Sequence, residues 1–156
     1  MEEQSASPDA TRWLAALRRY AVLIFLTNLV WEVAQLPLYT LWRQGTWGEI
    51  AFALAHCTAG DVAIALAALV SALMLGGAGE WPRAGFARSL GAATALGIGY
   101  TVYSEWLNTS LRLAWTYSEL MPVVPVLGTG LAPLLQWVLL PPLCLLLARG
   151  GAGARA

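Results

Sequence analysis

The stretch that decides the fold is Ile50–Leu75, which reads IAFALAHCTAGDVAIALAALVSALML. It exceeds the roughly 20 residues that a helix needs to cross a 30 Å hydrocarbon core. Its acidic and imidazole side chains are only His56 and Asp61. An ionisable group at mid-bilayer costs roughly 2.5–3.5 kcal/mol even on lenient insertion scales, so spans keep such groups mainly where they face one another, a cavity or a ligand.

Three further windows resemble this one in length and apolarity, and the fold class predicted from all four is all-α. We expect a four-helix transmembrane bundle with an irregular outer loop between the third and fourth helices. The predicted membrane domain is 20–148, with spans at 20–42, 50–75, 88–107 and 131–148. Residues 1–19 are expected to form a tail and an interfacial lead-in helix, and 149–156 a second tail.

The composition agrees with a membrane location. Of the 156 residues, 58% are hydrophobic and 12% are charged, whereas soluble domains carry about 25% charged residues. The mean hydropathy is +0.62. The formal net charge is zero, which argues against nucleic acid as a partner because phosphate binding needs a basic face. The lipid bilayer is the expected partner.

The distribution of arginines predicts the orientation, because positively charged residues accumulate on the cytoplasmic side. Arg43 and Arg112 fall on one side of the predicted spans, and seven arginines fall on the other. Both termini are therefore expected to be cytoplasmic, and a bacterial inner membrane is the expected location. The seven are Arg12, Arg18, Arg19, Arg83, Arg88, Arg149 and Arg155.

Two connecting segments carry local signals. The sequence from Thr46 to Glu49 has the spacing of a capping box, which predicts the start of the second helix. Between the third and fourth spans, residues 111–120 favour an interfacial helix. Residues 121–130 are apolar but contain two prolines and two glycines, which exclude a regular helix. We expect a partly inserted lid over the outer face, the alternative being a loop on the lipid headgroups.

The polar residues of the spans fall at matching depths. Counted by helix rise, Glu32 and His56 lie roughly 13–15 Å below the outer anchors, and Asn28 and Asp61 about 20 Å. We therefore predict a polar pocket that opens outward. Its candidate residues are Glu32, His56, Asp61, Glu105, Asn28, Gln35 and Tyr100, with Glu105 near the mouth.

Three interpretations of this polar set remain open. The groups would neutralise one another as interhelical contacts, for example Glu32 with His56, or they would form a pathway for a proton or solute. The third is a metal or catalytic site in which Glu32, His56 and Asp61 hold a transition metal. No metal-binding motif supports it. A haem held by two histidines of one chain is excluded, because the chain has one histidine.

Three stretches resemble a group of small bacterial multi-pass inner-membrane proteins. They are 31–39 (WEVAQLPLY), 55–61 (AHCTAGD) and the run from Tyr103-Ser104-Glu105-Trp106-Leu107-Asn108 through Gly128-Thr129-Gly130-Leu131. The resemblance would cover most of residues 20–145. It implies no activity, cofactor or site.

The function expected from the sequence is that of a small integral membrane protein whose pocket binds or passes a small solute, ion or proton. It would act alone, as a homo-oligomer or as an accessory subunit of a partner membrane protein. The alternative is a membrane-embedded enzyme, metal-dependent or not, that acts on a lipid-like or small periplasmic substrate, with His56 and Glu32 in acid–base roles.

Overall fold

The protein is described by a computed structural model that covers residues 8–76 and 81–150. Within these residues the chain is all-helical, as predicted, apart from turns, irregular segments and two isolated β-bridges. Three helices are long and apolar enough to cross a membrane. The α-helices are α1 (Pro8–Gln35), α2 (Leu41–Gln44), α3 (Trp47–Gly76), α4 (Phe86–Trp106) and α5 (Leu131–Gly150).

The four long helices each pack against two neighbours. Helix α3 contacts α1 and α4, and α5 contacts the same two helices. Tyr20, Ile24, Leu69 and Leu145 are fully buried between them. Large apolar side chains also lie on the outside of the helices; that of Met74, for example, is 80% exposed. Helices that are apolar on all sides are typical of membrane spans.

The two ends of the bundle differ. At one end, Trp13 of α1 meets Trp81 with ring centroids 6.3 Å apart, and the guanidinium of Arg149 lies 4.6 Å from the ring centroid of Phe86. The start of α1 and the end of α5 are therefore at the same end. The opposite end is covered by residues 36–46 and 107–130. We call it the capped end, and we call residues 112–130 the cap.

The first long helix differs from its predicted bounds. It begins at Pro8, so the lead-in helix and the first span are continuous, and it ends at Gln35 rather than at Trp42. A short 3₁₀ turn follows at Leu36–Leu38. Pro37 explains the end, because proline lacks the N–H that a continuing α-helix requires. The polar side chains near Gln35 therefore lie at a helix terminus.

The start of α3 agrees with the predicted capping box. The backbone N–H of Thr46 donates to Glu49 Oε2 at 2.8 Å, and the N–H of Glu49 donates to Thr46 Oγ1 at 3.3 Å. These reciprocal bonds satisfy N–H groups that have no partner inside the helix. The local signal therefore fixes where α3 begins.

The cap is irregular where the sequence favoured a helix. A π-helical turn at Leu107–Leu111 extends α4, and Leu113 then takes a positive φ of 52°. The cap is held by backbone hydrogen bonds, including Ser118 N–H to the carbonyl of Leu38 at 2.8 Å and Leu131 N–H to that of Pro122 at 2.7 Å. Of the predicted tail segments 1–19 and 149–156, residues 1–7 and 151–156 lie outside the described residues.

Candidate functional site

A single side-chain amide joins three helices in the interior. Nε2 of Gln136, on α5, donates to Asn28 Oδ1 of α1 at 2.7 Å and to Asp61 Oδ2 of α3 at 2.8 Å. The same nitrogen lies 3.3 Å from Glu32 Oε1 of α1. Gln136 is 2% exposed, so these bonds form away from solvent and are not weakened by competition with water.

A second amide extends this network toward the capped end. Nε2 of Gln35 donates to Glu32 Oε1 at 2.7 Å and lies 3.4 Å from Gln136 Oε1. The side-chain oxygen Oε1 of Gln35 accepts a hydrogen bond from Trp31 Nε1 at 3.2 Å. Glu32 is thus held by two neutral amides, which orient its carboxyl group without supplying a positive charge.

The carboxyl groups of Glu32 and Asp61 flank one nitrogen: Nε2 of Gln136 lies 3.3 Å from Glu32 Oε1 and 2.8 Å from Asp61 Oδ2. A hydrogen bond between two carboxyl groups requires a proton on one of them, because ionised carboxylates only accept. Such pairs share one proton where two like charges would otherwise be adjacent. A pair placed in this way can hold one proton between its two carboxyl groups.

These groups form the floor of a cavity of about 350 Å³ at the capped half of the bundle. Asp61 lies fourteen residues into α3, about 21 Å from its first residue by helix rise. The cavity reaches from Asp61 to Arg112 in the cap. Its other lining residues are Glu32, Gln35, Leu36, Tyr39, Leu41, Ala53, Leu54, His56, Cys57, Gly60, Ile64, Tyr100, Thr101, Ser104, Glu105, Asn108, Ala114, Trp115, Pro133, Gln136 and Trp137.

Tyr117 fastens the cap to the helices. Its hydroxyl donates to Glu105 Oε2 of α4 and accepts a bond from the N–H of Gly130 at 2.9 Å. Its ring lies 5.6 Å from that of Tyr39, centroid to centroid. Burial raises the pKa of Tyr117 above its usual range, and the bond to Glu105 raises it further. The phenol therefore stays protonated and keeps its role as donor.

The structure brings most of the predicted site residues to this one cavity. Six of the seven line it: Glu32, Gln35, His56, Asp61, Tyr100 and Glu105. The seventh, Asn28, is 3% exposed and supports the floor from behind through its bond to Gln136. His56 and Tyr100 are both exposed, and they form part of the rim.

The predicted metal set does not come together as a ligand group. Among residues 8–76 and 81–150, no three side chains of His, Cys, Asp or Glu are arranged to hold a metal ion. Glu32 and Asp61 meet, whereas His56 stacks on Phe52 with centroids 5.5 Å apart. The hydrogen bonds of Glu32 go to Gln35 and Gln136 and not to His56.

The residue that sequence reasoning undervalued is Gln136. It is not among the seven candidates predicted from the sequence, yet it makes the bonds that join α5 to α1 and α3. The signal was present, because Gln136 is the strongest hydrogen-bonding side chain in an otherwise apolar span. Amide side chains in spans commonly bond across helices.

Comparisons with family models, with curated proteins and with solved structures found no match. The class of protein is therefore defined by the fold and the site: an all-helical membrane protein with a buried carboxyl–amide network at the floor of a polar cavity.

Proposed function

We propose that the chain is a four-span protein of a bacterial inner membrane with both termini in the cytoplasm. Helix α4 would be the fourth span: its 21 residues correspond to about 31 Å, enough for a hydrocarbon core. Arg83, Arg88 and Arg149 lie at the end of the bundle opposite the cap, in keeping with a cytoplasmic location. The capped end would then face outward.

The pocket of this protein binds a small solute or ion, or passes a proton, from the outer side. The observation that carries this proposal is the position of Glu32, Asp61 and Gln136 at the floor of one cavity. Buried polar groups serve structure alone when they satisfy one another completely. Here they border open volume of about 350 Å³, at the low end of the range for small-molecule sites.

Binding is favoured over catalysis by the position of His56. Acid–base catalysis by a His–Glu pair needs both groups within hydrogen-bonding reach of one reacting atom. Glu32 is engaged by two amides on the floor, while His56 stacks on Phe52 at the rim. The arrangement therefore favours binding of a ligand between the floor and the rim over a reaction in which these two residues act as acid and base.

A ligand screen by thermal stability tests the proposal. A ligand that binds only the folded state raises its stability by RT ln(1 + [L]/Kd), about 2.7 kcal/mol at a concentration of one hundred times Kd. Purified protein in detergent is screened with small amines, carboxylates, sugars and inorganic ions. We expect at least one chemical class to raise the melting temperature of the wild type and not that of a Glu32→Gln/Asp61→Asn variant.

The matched control is Glu119→Gln, which removes an exposed carboxyl group of the cap. This variant should respond to ligands as the wild type does. If no class of compound stabilises the wild type, or if the double variant responds equally, the pocket is not a binding site and the proposed function is wrong.

A further inference from the structure

We infer that the ligand of this cavity is a small primary ammonium compound, and that its binding expels the proton shared by Glu32 and Asp61. The inference rests on the proposed function and adds the ligand class and the accompanying proton. It is carried by the balance of hydrogen-bond donors and acceptors at the floor and by the chemistry of the walls.

The floor has more acceptors than donors. A side-chain amide offers two N–H bonds, yet Nε2 of Gln136 faces oxygens of Asn28, Asp61 and Glu32 within 3.3 Å. The two N–H bonds of Gln35 are directed at Glu32 and Gln136. Two carboxyl groups together offer about eight acceptor positions. The amides therefore leave carboxyl oxygens that only an added proton or a ligand N–H can satisfy.

A separate polar group faces the same space. Thr101 on α4 is 5% exposed and lines the cavity. Its hydroxyl oxygen has lone pairs that accept hydrogen bonds. This hydroxyl can accept one more bond from a ligand. An ammonium group supplies three N–H donors and no acceptor, which complements the floor.

The charges around the cavity also favour a cation. Eight titratable side chains face the cavity: Glu32 from α1, Asp61, His56 and Cys57 from α3, Glu105 and Tyr100 from α4, Tyr39 after the 3₁₀ turn, and Arg112 from the cap. Helix α5 contributes only neutral residues: Pro133, Gln136 and Trp137. Three carboxyl groups thus face one guanidinium. The hydrogen-bond partners of Glu32 and Asp61 among the described residues are neutral amides.

The walls would hold the body of the ligand. Aromatic rings attract cations that lie over their faces, and the cavity is lined by Trp115, Trp137 and Tyr39. Ile64 and Leu54 add apolar surface. An organic ammonium therefore fits better than a bare metal ion, which would need a convergent set of ligands that the described residues do not form.

The exchange conserves charge in the pocket. Without ligand, one proton bridges the carboxyl groups of Glu32 and Asp61 and leaves a net charge of minus one on the pair. When R–NH₃⁺ enters, its three N–H bonds replace that proton, which leaves to bulk water. Both carboxyl groups are then ionised around a positive charge, and no covalent bond other than the O–H bond is broken.

The test compares aromatic probes that differ in charge and in the number of N–H donors. Calorimetric titrations use benzylammonium, benzyl alcohol, benzyltrimethylammonium and benzoate with the purified full chain in detergent. We expect benzylammonium to bind at least about tenfold more tightly than benzyl alcohol. Benzyltrimethylammonium, which lacks N–H donors, should bind more weakly than benzylammonium. Titration in two buffers of different ionisation enthalpy should show release of about one proton per ligand bound.

Substitutions at Glu32 and Asp61 test whether these two residues bind benzylammonium and release the proton. Glu32→Gln and Asp61→Asn, which are close in shape to the native residues, should abolish proton release and weaken benzylammonium about tenfold or more; Glu119→Gln should do neither. Should either variant fail to fold, proton release by the wild type alone decides. Equal binding of benzyl alcohol, or binding without proton release, overturns the inference. If another class of compound binds at Glu32 and Asp61, the inference fails while the proposed function stands; if none binds, both fail.

Discussion

Gln136 and Asp61 lie 75 residues apart in the chain, and the side-chain amide of the first donates a 2.8 Å hydrogen bond to the carboxyl group of the second. The bond links α5 to α3, two helices that both pack against α1 and α4. Through the same nitrogen, Gln136 also reaches Asn28 and Glu32 on α1. One amide thus sets the relative positions of three helices and of the two carboxyl groups on the cavity floor.

Replacing Gln136 by leucine should destabilise the fold. The change keeps the volume similar but leaves oxygens of Asn28, Asp61 and Glu32 without this donor, and each buried unsatisfied group costs about 1–3 kcal/mol. The total loss should be smaller than the sum of these costs, because the structure around residue 136 can relax and because interhelical hydrogen bonds in membranes are modest in strength. We expect a loss of about 1–3 kcal/mol in unfolding measured by denaturant titration in mixed micelles. Leu135→Ala, at the neighbouring exposed position, should cost less than about 1 kcal/mol, and equal losses would contradict the role given to Gln136.

Helices α4 and α5 approach closely at Gly97, and substitution there should be damaging. A Cβ atom added to Gly97 would overlap the indole ring of Trp137, which is 4% exposed and lines the cavity. We expect Gly97→Ala to destabilise the protein by about 1–3 kcal/mol and to alter ligand binding. Gly99→Ala is the matched control because no atom lies within 4 Å of its added Cβ. It should be neutral or gain up to about 1 kcal/mol, and a larger loss at Gly99 than at Gly97 would refute this packing.

Removal of the Tyr117 hydroxyl should loosen the cap without unfolding the helices. Tyr117→Phe removes the donor to Glu105 and the acceptor for the N–H of Gly130. Hydrogen–deuterium exchange should therefore rise in residues 112–130 while α1, α3 and α5 stay protected. Tyr103→Phe, at a side chain that is 53% exposed, should leave the cap unchanged. Unchanged exchange in Tyr117→Phe would show that the cap is held by other contacts.

Alkaline titration should reveal the buried phenols of the cap region. Burial raises the pKa of both Tyr117 and Tyr39, so these groups keep their protons above the usual tyrosine pKa of about 10. Their raised pKa stabilises the closed cap fully below about pH 10, and this contribution is lost as the pH rises further. Tyrosinate absorbance should show a late fraction that shrinks in Tyr117→Phe. Complete ionisation of all tyrosines near pH 10 would contradict the closed cap.

The sequence predicted the helical class and the capping box at Thr46 because these signals are local: apolar length and the spacing of Thr46 and Glu49. Depth counting placed Glu32 roughly 13–15 Å and Asp61 about 20 Å below the outer anchors, and in the structure both are bonded to Gln136. The end of α1 was missed because apolarity continues past Pro37 although the helix cannot. The role of Gln136 and the stacking of His56 on Phe52 depend on helix rotation, which depth alone does not fix.

Water access to Cys57 tests the central claim, a polar cavity inside the membrane-embedded helices, most directly. Cys57 lines the cavity, while Cys144 is fully buried. Charged methanethiosulfonate reagents react in water and not in lipid, and intact mass counts the labels. Cys57 of the wild type should be labelled. A cysteine introduced by Ala53→Cys in a Cys57→Ala background should also be labelled, because both positions line the cavity. Ala59→Cys in the same background should not be labelled, because this exposed position lies outside the cavity lining. Labelling at Ala59→Cys with none at Cys57 or Ala53→Cys would contradict the account.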